Sequence, residues 1–131
     1  MKKKRKKHQV AVLAVSRKRA GQILLVTSRH SRSWSLAKGN IDAASPVEAA
    51  RREAFEEAGV RGRMATKPIG YYVHRKSGGG KFRVSVFKMH VQEQLSTWPE
   101  KRERHRRWVA VKVAVKLVSN PSLKRLIKAQ L

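Results

Sequence analysis

Residues 39–60 read Gly-Asn-Ile-Asp-Ala-Ala-Ser-Pro-Val-Glu-Ala-Ala-Arg-Arg-Glu-Ala-Phe-Glu-Glu-Ala-Gly-Val, and this stretch decides the fold. Ser45-Pro46-Val47-Glu48 fits a capping box, with Ser45 as N-cap, Pro46 at the first helical position and Glu48 at the third. Gly59 stands where a left-handed residue would end the helix. Between these ends, Ala49, Ala50, Ala54 and Ala58 favour the helical state. The chain has eight acidic residues, and Glu48, Glu53, Glu56 and Glu57 all fall in this one helix. Glu53, Glu56 and Glu57 are related by i, i+3 and i+4, so they project from one face. Adjacent carboxylates repel one another unless a cation lies between them. Mg²⁺ is such a cation, held by one or two carboxylates together with substrate phosphates. A plainer reading, a solvated acidic face paired with Arg51 and Arg52, stands beside this one.

Outward from the helix, the chain alternates strand and turn signals. Residues 10–15 are mostly apolar and predict a buried central strand. Residues 17–21 read as a turn, and residues 22–28 as the hairpin partner of that strand. A polar, basic loop follows and leads to a short strand at 34–36. After the helix, residues 64–74 predict one long strand with a bulge or bend at Pro68-Ile69-Gly70. Ser77-Gly78-Gly79-Gly80 is a hairpin connection. Residues 82–91 alternate, with Phe82, Val84, Val86 and Lys88 on one face and Arg83, Ser85, Phe87 and Met89 on the other. Of Tyr71 and Tyr72, adjacent on a strand, one should be buried and the other exposed. Residues 95–107 read as a loop and 108–111 as a last strand. Two terminal helices follow at 111–118 and 121–131, the second capped by Asn120. This order gives an α/β or α+β class.

Composition narrows the setting. With 131 residues and 40% apolar content the chain suits one globular domain, with residues 1–8 as a basic tail and 9–131 as the folded unit. No apolar run approaches the roughly 20 residues of a membrane-spanning helix. The absence of cysteine excludes disulfides and thiolate metal sites, and the expected location is cytoplasmic. Thirty-two Lys and Arg residues give a net charge of +24, a field that attracts polyanions. His8, His74, His90 and His105 lack metal-ligand spacing.

The run Arg52-Glu53-Ala54-Phe55-Glu56-Glu57-Ala58-Gly59-Val60 resembles the R-E-U-x-E-E-x-G-U half of the Nudix box, with Ala54 at the apolar position, and Lys38-Gly39 resembles its glycine half. The chain looks like a Nudix hydrolase. Two departures are visible: Ala44 stands where the first glutamate of the signature belongs, and the loop after Gly39 is one residue short. The resemblance implies an α/β/α sandwich around a mixed β-sheet. It further implies Mg²⁺ (with Mn²⁺ as substitute) bound by Glu53, Glu57 and a carbonyl at Gly39. Glu56 would be the base that activates water, and Arg52 would lock the glutamates in position.

Two further segments, Ser28-Arg29-His30 with Trp34, and Arg104-His105-Arg106-Arg107-Trp108, resemble the diphosphoinositol polyphosphate phosphohydrolase branch. The implied reaction is attack of water on a diphosphate linkage in a diphosphoinositol polyphosphate or a (di)nucleoside polyphosphate. Such substrates are highly anionic. Arg17, Lys18, Arg19, Arg29, His30, Arg32, Lys38, Gly39, Arg83 and Arg104 are the candidates for binding them. A second reading from a different class remains open: a nucleic-acid-binding module on a weakly catalytic Nudix scaffold, motivated by the charge and the lysine-rich start. Sequence leaves the oligomeric state unspecified.

Overall fold

The computed structural model describes residues 7–42, 45–76 and 78–130. Most of the basic tail, the signature position Ala44 and the hairpin residue Ser77 lie outside them.

Among the described residues, eight strands form two sheets, and three helices pack on both sides of the larger one. The strands are β1 (Lys7–Val15), β2 (Gln22–Thr27), β3 (Trp34–Ser35), β4 (Ala37–Asn40), β5 (Val60–Met64), β6 (Gly70–Arg75), β7 (Lys81–Gln94) and β8 (Arg106–Ala110). The helices are α1 (Pro46–Ala58), α2 (Val111–Leu117) and α3 (Pro121–Lys128). The larger sheet runs β4-β1-β7-β5, with β6 also on β7. Within it β1 is parallel to β7 and antiparallel to β4, so the sheet is mixed. The smaller sheet, β3-β2-β8, is antiparallel.

Alternation along β1 and β7 divides the core in two. Ala11, Leu13, Phe82, Val84 and Val86 face a cluster completed by Tyr72 and by Ala114, Leu123 and Ile127 of α2 and α3. Val10, Val12, Ala14, Phe87 and Met89 face the other way, onto Ala49, Ala50, Ala54 and Ala58 of α1. The expected face assignment in β7 and the expected α/β/α layering are both present. Tyr72 is buried and Tyr71 half-exposed, as the strand pattern requires.

Several local expectations change. β1 begins at Lys7, because pairing with β7 continues to Lys7↔Phe82 beyond the apolar run. β2 does not pair with β1: the two lie in different sheets, and a 3₁₀ turn at Arg17–Arg19 carries the chain between them. The single strand expected at 64–74 is two, β5 and β6. Both pair with β7, whose 14 residues exceed either partner. Lys38 and Gly39 lie in a further strand, β4, that follows the short strand β3.

The cap assignments hold. Ser45 Oγ accepts from Glu48 N at 3.2 Å, and Gly59 ends α1 in the left-handed region at φ 65°. Asn120 Oδ1 accepts from Ser122 N and Leu123 N, fixing the start of α3.

Candidate active site

Small side chains let α1 lie close to the sheet. All four of its alanines are buried against β1 and its neighbours, and this brings the flanking glutamates down to β4. Glu53 rests directly over Gly39. A β-carbon at position 39 would stand 2.7 Å from Glu53 Cγ and would overlap its carboxyl group. Gly39 does not have positive φ. Glycine is required there for space.

Glu57, one turn further on, is buried. Its Oε1 accepts the Lys38 backbone N–H at 3.2 Å, and its Oε2 lies 3.3 Å from the Arg104 guanidinium. Arg104 also donates from Nε to Glu100 Oε1 at 2.7 Å and from Nη1 to the Thr27 carbonyl at 2.9 Å. Glu100 in turn takes Arg29 at 3.0 Å, and Arg29 also meets Glu103.

The segment between β7 and β8, expected as a loop, closes the end of α1. The last carbonyls of a helix lack internal partners. Here Glu56 O accepts from Glu100 N, Glu57 O from Trp98 Nε1, and Ala58 O from Arg106 Nη1. The Arg106 guanidinium lies over the Trp98 ring, 3.8 Å from its centre, so a cation sits at the negative end of the helix dipole. These contacts are what carry Glu100 and Arg104 to Glu57.

The glutamates are electrostatically strained. Burial pushes the Glu57 carboxyl up to about 8, and the nearby Glu53 adds to this. Arg104 and the Lys38 amide pull the other way without offsetting it. Glu53 is also raised, by burial first and then by Glu56, while its hydrogen bond with Glu57 opposes the shift. Adjacent buried carboxyls whose ionised forms are disfavoured make a site where a divalent cation can take a proton's place. Among the described residues no three acidic, histidine or cysteine side chains form a complete metal cage. What converges is the Glu53–Glu57 pair against β4. That donor set fits Mg²⁺, which takes few protein carboxylates and completes its shell with water and substrate oxygens. In an extended strand the N–H and C=O of one residue point the same way. Lys38 N–H meets Glu57, so by this rule the Lys38 carbonyl is a further candidate donor beside that of Gly39.

Beside the pair opens a cleft of about 610 Å³ lined by Lys38, Trp34, Tyr72, His74, Arg75, Lys81 and Arg125, with Ser28, Ser31, Ser33 and Ser35 along one wall. Among the described residues no ion pair involves Lys38, Arg75, Lys81 or Arg125. Burial lowers the Lys38 ammonium, opposed by Glu57 and reinforced by Arg104 and Lys76. Burial likewise lowers His74, and Lys38 and Lys76 lower it further. The cleft is an uncompensated positive pocket.

The expected binding residues separate into groups. Lys38 lines this cleft, whereas Arg104 and Arg29 are engaged with Glu57, Glu100 and Glu103. His30 and Arg32 are exposed on the turn between β2 and β3, and Arg32 has φ 55°. Arg83 stacks on Tyr71 at 4.0 Å on the outer part of β6 and β7. Arg17, Lys18 and Arg19 line a different cavity that contains no carboxylate. Arg52 pairs with Asp42 at 2.9 Å and reaches Asn40 O at 3.4 Å, and its charge also favours the ionised form of Glu53. Sequence reasoning missed Glu100, Arg75, Lys81 and Arg125. Only the i, i+4 relation of Glu100 and Arg104 was available to signal any of them.

A NUDIX domain model matches residues 7–130. The chain belongs to the Nudix hydrolase family. Nudix hydrolase 13, mitochondrial, of Arabidopsis thaliana is 36% identical over 106 residues, covering 73% of this chain and 52% of that protein. Diphosphoinositol polyphosphate phosphohydrolase 3-alpha of Mus musculus is 32% identical over 116 residues, covering 86% of this chain and 69% of that protein. The chain spans a little over half the length of these Arabidopsis Nudix relatives that it matches. Among solved structures, a NUDIX hydrolase from Nitrosomonas europaea superposes with a TM-score of 0.78 at 16% identity, over 96% of this chain and 88% of that one. A C. elegans Ap4A hydrolase superposes at 0.74 and 16% identity, covering 93% of each chain. These likenesses establish the Nudix fold.

Proposed function

We propose that this Nudix protein hydrolyses a diphosphate linkage in a highly anionic substrate, either a diphosphoinositol polyphosphate or a (di)nucleoside polyphosphate. The observation that carries the reading is the junction at Lys38. Its backbone is bonded to the buried Glu57, and its side chain lines a cleft with three further unpaired cations, Arg75, Lys81 and Arg125. One end of a polyphosphate would lie in the cationic cleft and its scissile anhydride against the carboxylate pair.

Mg²⁺ held by Glu53, Glu57 and the carbonyl of Lys38 or Gly39 would supply charge neutralisation and a more acidic bound water. The remaining chemistry belongs to the side chains. Glu56 shares a face with Glu53 and would take the proton of the attacking water as its oxygen bonds to phosphorus. Arg104 holds Glu57 in place from the opposite side, and Gly39 leaves the room that Glu53 occupies. The cationic cleft balances substrate charge before the anhydride bond breaks and the phosphate leaves. The names of two similar proteins, a diphosphoinositol polyphosphate phosphohydrolase and an Ap4A hydrolase, support the substrate class.

The test is product release with Mg²⁺ on a panel containing diphosphoinositol polyphosphates, diadenosine polyphosphates and nucleoside triphosphates. Arg75→Gln and Arg125→Gln should raise KM several-fold while leaving kcat within about twofold, since they provide binding remote from the reacting bond. Unchanged KM in both variants across the panel would remove the cleft from the account.

A further inference from the structure

A second concave surface lies away from the carboxylates. Its volume is about 510 Å³, and it is lined by Ser16, Arg17, Lys18, Arg19, Arg63, His90, Gln92, Gln94 and Trp108. Small-molecule sites occupy roughly 300–1,000 Å³. Four permanent cations converge here, and no acidic residue lines the space. Elsewhere the scarce acids are placed against arginines: Arg29, Arg51, Arg52, Arg61 and Arg104 each have a carboxylate partner. Among the described residues no ion pair involves Arg17, Lys18, Arg19 or Arg63. Cations gathered in a concave surface without counter-charge repel one another, and a bound anion relieves that repulsion.

The backbone shapes the same cleft. Ser16 Oγ accepts from Lys18 N at 3.3 Å and Ser16 O from Arg19 N at 3.1 Å, forming the 3₁₀ turn that presents three consecutive basic side chains. On the opposite wall the β5–β7 register runs Arg61↔Glu93 and then Gly62↔Val91, so Gln92 faces no partner residue. A bulge of this kind re-aims a side chain, and Gln92 lines the cleft. At the base, Trp108 is fixed by Nε1 donating to Gln94 Oε1 at 2.8 Å, and Arg19 lies over its ring at 5.6 Å.

We infer that this cleft between the 3₁₀ turn and the bulged end of β7 is a second phosphate-anion site, separate from the hydrolytic one, that takes a small multiply phosphorylated compound. Arg17, Arg19 and Arg63 bind phosphate oxygens, and Gln92 adds a neutral donor. The compact, concave form favours a small polyphosphate over an extended nucleic-acid strand, which presents the same phosphate chemistry over a longer surface.

The experiment uses the full chain in EDTA, so that hydrolysis does not enter. Inorganic tripolyphosphate is titrated while backbone and indole N–H resonances are followed by NMR. The expected result is saturable movement of the Arg17, Lys18, Arg19, Arg63, Gln92 and Trp108 signals, with affinity at least tenfold weaker in the Arg17→Gln/Arg63→Gln double variant. Arg17→Lys/Arg63→Lys, which keeps the charge, should retain most of the affinity, and the dispersion of each spectrum reports folding directly. Movement confined to Lys38, Arg75 and Arg125, or equal affinity in the Gln double variant, overturns the inference. It is also overturned if a single-stranded oligonucleotide moves these signals and tripolyphosphate does not.

Discussion

Substituting Gly39 by alanine isolates the step from fold to chemistry. The added methyl would stand 2.7 Å from Glu53 Cγ. Ordinary van der Waals contact begins near 3.4 Å, so Cγ must retreat by about 0.7 Å and the carboxyl by more. Because the obstacle is the end of a flexible side chain, the strand itself need not move. Gly39 lacks positive φ, so alanine adds no backbone strain. Removing a glycine from a strand recovers on the order of 0.5–1 kcal/mol of chain entropy. The metal-free protein should therefore melt within a few degrees of wild type. The carboxyl of Glu53, however, is displaced by about 1 Å from its place beside Glu57, an error that costs catalysis roughly a hundredfold, equivalent to about 2.7 kcal/mol at 1.36 kcal/mol per tenfold. Mg²⁺ affinity by calorimetry and kcat/KM on the preferred substrate are the two readouts, with thermal melting as control. Unaltered Mg²⁺ affinity and unaltered turnover in a folded Gly39→Ala protein would refute the placement of Glu53 over Gly39.

Two further outcomes follow from the same pair. At pH 9, where Glu57 is ionised, Arg104→Gln removes the cation from a buried carboxylate, since the Arg104 and Glu57 side chains are only 12% and 8% exposed. Breaking such a pair costs roughly 3 kcal/mol or more, so differential scanning calorimetry should show a midpoint lower by about 10 °C; a change under 2 °C would contradict the pairing. Glu57 also sets a pH dependence. Its folded value, about 8, is raised above the ordinary 4.5, so the folded state favours the protonated acid. That contribution is fully present below about pH 4.5 and is lost as pH rises through about 8. Thermal melts in EDTA at pH 5, 7 and 9 should fall more steeply for wild type than for Glu57→Gln, and Mg²⁺ should reverse the loss at pH 9; parallel curves would contradict the burial of Glu57.

The helix half of the box was legible because its signals are local. Ser45, Pro46, Gly59 and the alanine spacing act within one turn of where they stand, and the structure reproduces each. The two faces of β7 were legible for the same reason, since strand periodicity needs no partner. Pairing was less visible. That β1 and β2 enter different sheets depends on β4, β7 and β8, all far along the chain. The site was half visible. Glu53 and Glu57 carry a motif, whereas Glu100 and Arg104 reach them only because Trp98, Glu100 and Arg106 meet the helix's last carbonyls. In a chain with 32 basic residues, composition could not separate Arg75, Lys81 and Arg125, which line the cleft with Lys38, from Arg17, Lys18 and Arg19, which line another. The Asp42 partner of Arg52, 2.9 Å away, was not legible because the motif says nothing of residue 42.

The central claim is that the carboxylates of α1 direct water onto phosphorus with a divalent ion. Turnover in H₂¹⁸O, followed by mass spectrometry of the products, tests it most directly. The account predicts one ¹⁸O in a phosphate-bearing product per bond cleaved, a rate that vanishes in EDTA, and a loss of roughly a hundredfold or more in Glu57→Gln, about 2.7 kcal/mol at 1.36 kcal/mol per tenfold. Undiminished turnover in EDTA or in Glu57→Gln, or label at a position other than phosphorus, would contradict it.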